Sequence, residues 1–166
     1  MKRLLLPLLI AIGFSATWAE VTTFTLAQGD VFTGVDGVTV DATSAEFRGE
    51  QTIFLERVED PSSLEPMLFA QPASTSYYRI GAASYFATSP WAPLSIRIPI
   101  PEGFSVPPGT LGVGALVPYE NPVHSDEASG DEWSTQPATY LADASEIEFS
   151  LGILDPEGIV FVVVSR

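Results

Sequence analysis

Apolar and polar residues alternate along this chain in short runs rather than in long helical stripes. Residues Val21–Leu26 alternate, and residues 37–41 and 51–58 follow, with Ile53, Leu55 and Arg57 on one face of the third run. Period-two alternation is the mark of a half-buried strand. Further runs cover residues 77–80, 94–100, 111–117, 139–142, 147–151 and 159–164. Between them stand Gln28-Gly29-Asp30, Gly34-Val35-Asp36-Gly37, Pro101-Glu102-Gly103, Pro107-Pro108-Gly109 and Asp155-Pro156-Glu157-Gly158. These residue types favour turns because they supply positive φ, a fixed φ, or a side chain that caps its own backbone. No sustained i, i+3, i+4, i+7 pattern appears beyond the N-terminal segment, and one short helical turn is expected over residues 62–68. The spacing predicts an all-β chain, an antiparallel β-sandwich of immunoglobulin-like kind with about eight or nine short strands.

Two runs predict their own environment. Ile159-Val160-Phe161-Val162-Val163-Val164 is apolar throughout, so both of its faces should be covered. Leu94-Ser95-Ile96-Arg97-Ile98 alternates, so one face should be wet, and Pro99 and Pro101 should end the strand because proline has no N–H for the ladder. Asp155-Pro156-Glu157-Gly158 reads as a hairpin turn joining the two final runs. Residues 119–136, rich in Glu, Asp, Ser, Asn and Pro, read as the longest loop.

The N-terminus changes the picture of where this domain works. Lys2 and Arg3 precede an apolar run from Leu4 to Phe14, and small residues lead to Thr17-Trp18-Ala19. This order is that of a cleavable signal peptide, with cleavage expected after Ala19 and Ala16 as the second choice. The run is shorter than the about 20 apolar residues of a membrane-spanning helix and contains Pro7. Export to the periplasm or the exterior is expected, with no stable membrane insertion afterwards. Residues 20–166 then form one domain. Its five basic residues, Arg48, Arg57, Arg79, Arg97 and Arg166, face 21 acidic ones, a net charge of −16. A field of that sign repels nucleic-acid phosphates and anionic membranes. The chain has no cysteine, which excludes thiol chemistry, cysteine metal sites and disulfide staples.

Trp91-Ala92-Pro93-Leu94-Ser95-Ile96-Arg97-Ile98-Pro99, the run from Leu111 to Tyr119, Glu132-Trp133, and the ending through Ile147-Glu148-Phe149-Ser150 and residues 159–164 come in a familiar order. They resemble the β-sandwich module shared by the zona occludens protein and the netrin receptors, which also occurs in bacterial surface proteins. Gly37-Val38-Thr39-Val40-Asp41 and Gln51-Thr52-Ile53-Phe54-Leu55 resemble its opening strands, so the likeness spans roughly residues 37–164. It implies an interaction or structural module on a surface or in an envelope. Some members of the wider group cleave themselves at a His-Phe-Ser step. Here the step is Glu148-Phe149-Ser150, the histidine base is missing, and self-cleavage is not implied.

Candidate chemistry is sparse. His124 is the only histidine; it lies in the polar loop, without a Gly-x-Ser-x-Gly elbow anywhere in the chain. Asp126, Glu127, Asp131 and Glu132, around Gly130, could supply the hard oxygen ligands calcium requires, though not at EF-hand spacing. A calorimetric titration without heat, and without a calcium-dependent melting shift, removes that reading. Asp30, Asp36 and Asp41 form a second, more dispersed acidic set. Tyr77, Tyr78, Tyr85, Phe86, Trp91, Tyr119 and Trp133 are a possible stacking platform, although aromatic rings commonly fill cores. Phe86 and Trp91 are expected inside. Adjacent rings on a strand point to opposite faces, so Tyr77-Tyr78 and Tyr85-Phe86 should each divide. The expected function is a non-enzymatic, monomeric binding or structural module with a protein or glycan partner. The alternatives are a small carboxylate-dependent, glycan-active hydrolase, a carbohydrate-binding module, or a carrier of an apolar ligand between the sheets.

Overall fold

The computed structural model describes residues 21–68, 70–100, 110–119 and 130–165, the main chain alone at 117–119 and 130–132. The expected signal peptide, His124, Asp126 and Glu127 lie outside the described residues. In chain order the strands are β1 (Val21–Leu26), β2 (Val31–Thr33), β3 (Thr39–Asp41), β4 (Gln51–Arg57), β5 (Gln71–Ala82), β6 (Phe86–Ala87) and β7 (Leu94–Pro99). They continue with β8 (Leu111–Tyr119), β9 (Gly130–Gln136), β10 (Ala138–Leu141), β11 (Glu146–Leu151), β12 (Ile153–Leu154) and β13 (Ile159–Ser165). Thirteen strands among the described residues replace the eight or nine expected, because β2, β6 and β12 are only two or three residues long and carry no readable period, and β9 lies in the stretch read as loop.

All pairings are antiparallel. One sheet has the order β1-β4-β5-β13-β8-β9, a second β10-β11-β7-β3-β2, and β12 pairs with β6 apart from both. Inward side chains of the two large sheets meet in one core. Phe24, Ile53, Leu55, Tyr78, Ile80, Val113, Phe161 and Val163 come from the first, and Val40, Leu94, Ile96, Ile98, Ile147, Phe149 and Leu151 from the second. Phe161 bridges them, its ring centroid 5.7 Å from that of Tyr78 and 5.1 Å from that of Phe149. The edges of the sheets run into each other. Edge strand β1 turns through residues 27–30 into edge strand β2, where Phe24 stacks on Phe32 at 3.6 Å. At the other side only Pro137 separates edge strand β9 from edge strand β10.

The double burial of 159–164 is borne out. Phe161 and Val163 face the shared core, while Val160, Val162 and Val164 face a second cluster on the outer side of the first sheet. That cluster is roofed by the segment between β4 and β5, through Val58, Leu64, Met67 and Ala70. The expected helix at 62–68 is only one 3₁₀ turn, Pro61–Ser63, whose start is capped by Asp60 Oδ1 accepting from the Ser62 N–H at 3.0 Å. The rest of the segment is pinned instead by Trp133, whose Nε1–H donates to the Glu65 carbonyl at 2.6 Å. Gly114 admits this roof: a β-carbon there would sit 2.8 Å from Met67 Cε and 3.2 Å from Val164 Cγ1.

Two sequence expectations are corrected. Asp155-Pro156-Glu157-Gly158 is a tight turn, with Asp155 Oδ1 accepting from the N–H groups of Glu157 and Gly158 and Gly158 at φ +74°. It is not a hairpin, because β11 pairs with β7 and β10 while β13 pairs with β5 and β8 in the other sheet. A strand that is apolar on both faces is satisfied at the centre of the covered sheet. Nor is 119–136 wholly loop: residues 130–136 form β9, paired with β8 so that Trp133 lies opposite Leu116.

Candidate functional site

The outward face of the second sheet is where polar chemistry collects. In β11 the pattern Glu146-Ile147-Glu148-Phe149-Ser150-Leu151 buries its apolar members and leaves Glu146, Glu148 and Ser150 outward. In β7 the wet face expected from alternation holds Ser95, Arg97 and Pro99. Register then assembles rows across strands. Ser150, Ser95 and Asp41 form one row, and Glu148, Arg97 and Thr39 the next, with Thr139 of β10 beside Glu148.

Arg97 lies at the centre. Its Nη2 donates to Asp41 Oδ2 at 2.7 Å, and its Nη1 is 4.0 Å from Glu146 Oε2. The second approach is an ion pair without a hydrogen bond. Ser95 Oγ donates to Glu148 Oε1. Asp41 Oδ1 also accepts from the main-chain N–H of Thr43 at 2.9 Å and from Thr43 Oγ1 at 2.5 Å. Burial pushes the Asp41 carboxyl up, but the two Thr43 hydrogen bonds and the Arg97 charge outweigh it, so it lies below its ordinary 3.8. Asp41 is thereby a fixed acceptor, oriented before any ligand arrives.

Beside this face lies a groove of about 310 Å³, lined by Ser95, Glu148 and Ser150 of the sheet, by Asp41, Thr43 and Ser44 at the end of β3, and by Trp91, Ala92 and Pro93 of the turn before β7. Trp91 is 95% exposed, which corrects the expectation that it fills the core. Its turn explains why. Pro90 and Pro93 bracket it with fixed φ. The Ala92 N–H donates to the Ser89 carbonyl at 3.0 Å, Glu46 N–H to Ala92 O at 2.9 Å, and Ser89 N–H to Glu46 O at 2.7 Å. These bonds hold the main chain of the turn, and the ring projects from it into solvent. The proline bracket in the sequence was the available signal, since a residue between two prolines is poorly suited to a core strand.

The other singled-out aromatics divide as a strand requires. Tyr78 enters the shared core while Tyr77 packs under the roof, edge-on to Trp133 at 6.1 Å. Burial raises both phenols above 10.0. Phe86 is buried, as expected, and Tyr85 is 65% exposed, outside the groove lining. Trp133 is buried at 7% exposure. The dispersed acids have separate partners: Asp30 accepts from Ala27 N–H, Asp36 pairs with Arg57 at 3.5 Å and accepts from the Tyr78 hydroxyl at 3.3 Å, and Asp41 holds Arg97. Of the calcium candidates, Asp131 and Glu132 lie on β9, opposite Pro118 and Val117 of β8. Among the described residues, no group of three or more His, Asp or Glu is placed to hold a metal ion. No helix among them is long and apolar enough to cross a membrane.

The chain matches no protein-family model, no curated protein and no solved structure with which it was compared.

Proposed function

We propose that this chain is an exported, acidic binding module, an immunoglobulin-like β-sandwich that works without catalysis as a monomer in the periplasm or outside the cell. The outward face of the β10-β11-β7-β3-β2 sheet is its binding surface. One observation carries this reading: the two carboxylates that line the groove are already engaged, Asp41 by Arg97 and Thr43 and Glu148 by Ser95, and the same groove is lined by an exposed tryptophan. A glycan-cleaving hydrolase needs one carboxyl kept protonated to serve as general acid. Asp41 is shifted the other way. The signal-like N-terminus and a mature charge of −16 support the extracytoplasmic placement.

The test is reducing-end release. Purified protein is incubated with neutral glucans and xylans, and new sugar ends are counted. Release at the level of buffer is expected. Turnover that disappears in Glu148→Gln or Asp41→Asn would replace this reading with the hydrolase.

A further inference from the structure

We propose that the groove beside Trp91 binds a neutral polysaccharide presenting flat pyranose faces, such as a β-linked glucan or xylan. This rests on the binding-module reading and names its ligand class.

A large apolar ring left almost wholly in water is a cost unless something covers it. The main chain that carries Trp91 is held by two prolines and the hydrogen bonds at Ser89, Ala92 and Glu46, and the ring projects from it into solvent. The surface it offers is planar and aromatic, beside a wall of opposite character. Asp41 and Glu148 are acceptors, whereas Thr43, Ser44, Ser95 and Ser150 carry hydroxyls that both donate and accept. A sugar ring has the matching two-sided chemistry, with a C–H face that stacks on an indole and a rim of hydroxyls that donate to carboxylates and exchange hydrogen bonds with serine and threonine.

Charge removes the other planar or polar ligands. Uronic acids, phosphates and sulfated glycans meet a domain of charge −16 and two carboxylates in the groove itself. A basic peptide matches the net charge, and its cationic side chains could stack on Trp91. Yet the charge of Asp41 is already balanced by Arg97 at 2.7 Å, both carboxylates keep lone pairs for neutral donors, and the other polar side chains of the lining carry hydroxyls. A ligand with many neutral donors uses this surface better than one or two cations. The prior fixing of Asp41 and the Trp91 turn lowers the ordering cost of binding.

The experiment is calorimetric titration of the whole exported chain with cellohexaose, xylohexaose and laminarihexaose, with polygalacturonate and an oligoarginine peptide as charged counterparts. Binding to at least one neutral hexasaccharide is expected, unchanged between ~50 and ~500 mM salt because no ion pair is formed. Trp91→Ala should weaken it about tenfold or more, as loss of a central aromatic anchor does. Tyr85→Ala, an exposed ring outside the groove, should leave it intact. Trp91 lies in solvent, so its variant should melt with the wild-type protein, and melting curves verify this. No heat with any neutral sugar overturns the proposal, as does equal affinity in Trp91→Ala. Salt-sensitive binding of oligoarginine alone also overturns it and identifies a basic partner, leaving the binding module in place. Sugar release in the reducing-end assay is the separate failure of that module.

Discussion

Trp133 tests whether the roof over the first sheet is structural or incidental. The side chain is 7% exposed, lies edge-on to Tyr77, packs with Leu116, Val160 and Val162, and ties the Glu65 carbonyl at 2.6 Å. Trp133→Ala removes the packing and the tie together, at a cost of about 4 kcal/mol for a large buried ring. Set against a total stability of about 5–15 kcal/mol, this is a large fraction. At a urea dependence of about 2 kcal/mol per M, the unfolding midpoint falls by about 2 M. Trp133→Phe keeps most of the ring contact and loses only the hydrogen bond, whose net worth is about 1 kcal/mol. Its midpoint should fall by only about 0.5 M at the same urea dependence. The two variants are read by urea denaturation and by amide exchange of the peptide covering residues 58–70. Losing the tie should speed exchange there about fivefold in the Phe variant, if the roof opens as a local unit. The reasoning fails if Trp133→Ala moves the midpoint by less than about 0.5 M and leaves that peptide's exchange unchanged.

Other outcomes follow from the same coordinates. Phe161→Ala should cost about 3–5 kcal/mol, since its ring is fully buried and joins Tyr78 to Phe149 across the two sheets; denaturant unfolding measures it. The Asp41 carboxyl is depressed in the folded state, so its contribution is present above pH 3.8 and lost as pH falls through its lower folded value. Asp41→Asn should therefore flatten the loss of stability below that pH, and thermal melts across the acid range would expose an unchanged slope. N-terminal sequencing of the exported protein should begin at Glu20; an intact Met1 would return the N-terminus to an anchor.

The strands that sequence made legible were those whose pattern reports burial directly. The unbroken apolar run 159–164 marked a strand covered on both faces, and Leu94-Ser95-Ile96-Arg97-Ile98 marked one with a wet face ended by Pro99. What covered the second face of β13 was not legible. The roof is an irregular segment tied by an indole hydrogen bond from 68 residues away, and no local pattern encodes such a partner. β9 was hidden because Gly130-Asp131-Glu132 and Ser134-Thr135-Gln136 surround a single large apolar residue, Trp133. β5 was read as four residues and has twelve, because Ser74, Thr75 and Ser76 lie where its pairing with β13 shifts register. The groove was illegible for a related reason. Asp41, Ser95 and Glu148 come from three strands, and only the cross-strand register brings them together.

The position of β13 also governs when this molecule can exist. Its ladder partners, β5 and β8, are both made earlier, yet neither pairs with the other; each waits for residues 159–165. Without that strand β5 and β8 each keep a raw edge and the core lacks Phe161 and Val163, and closures between strands so far apart in sequence are inherently slow. β13 is thus the seam of the first sheet: its two ladders are what join β1-β4-β5 to β8-β9.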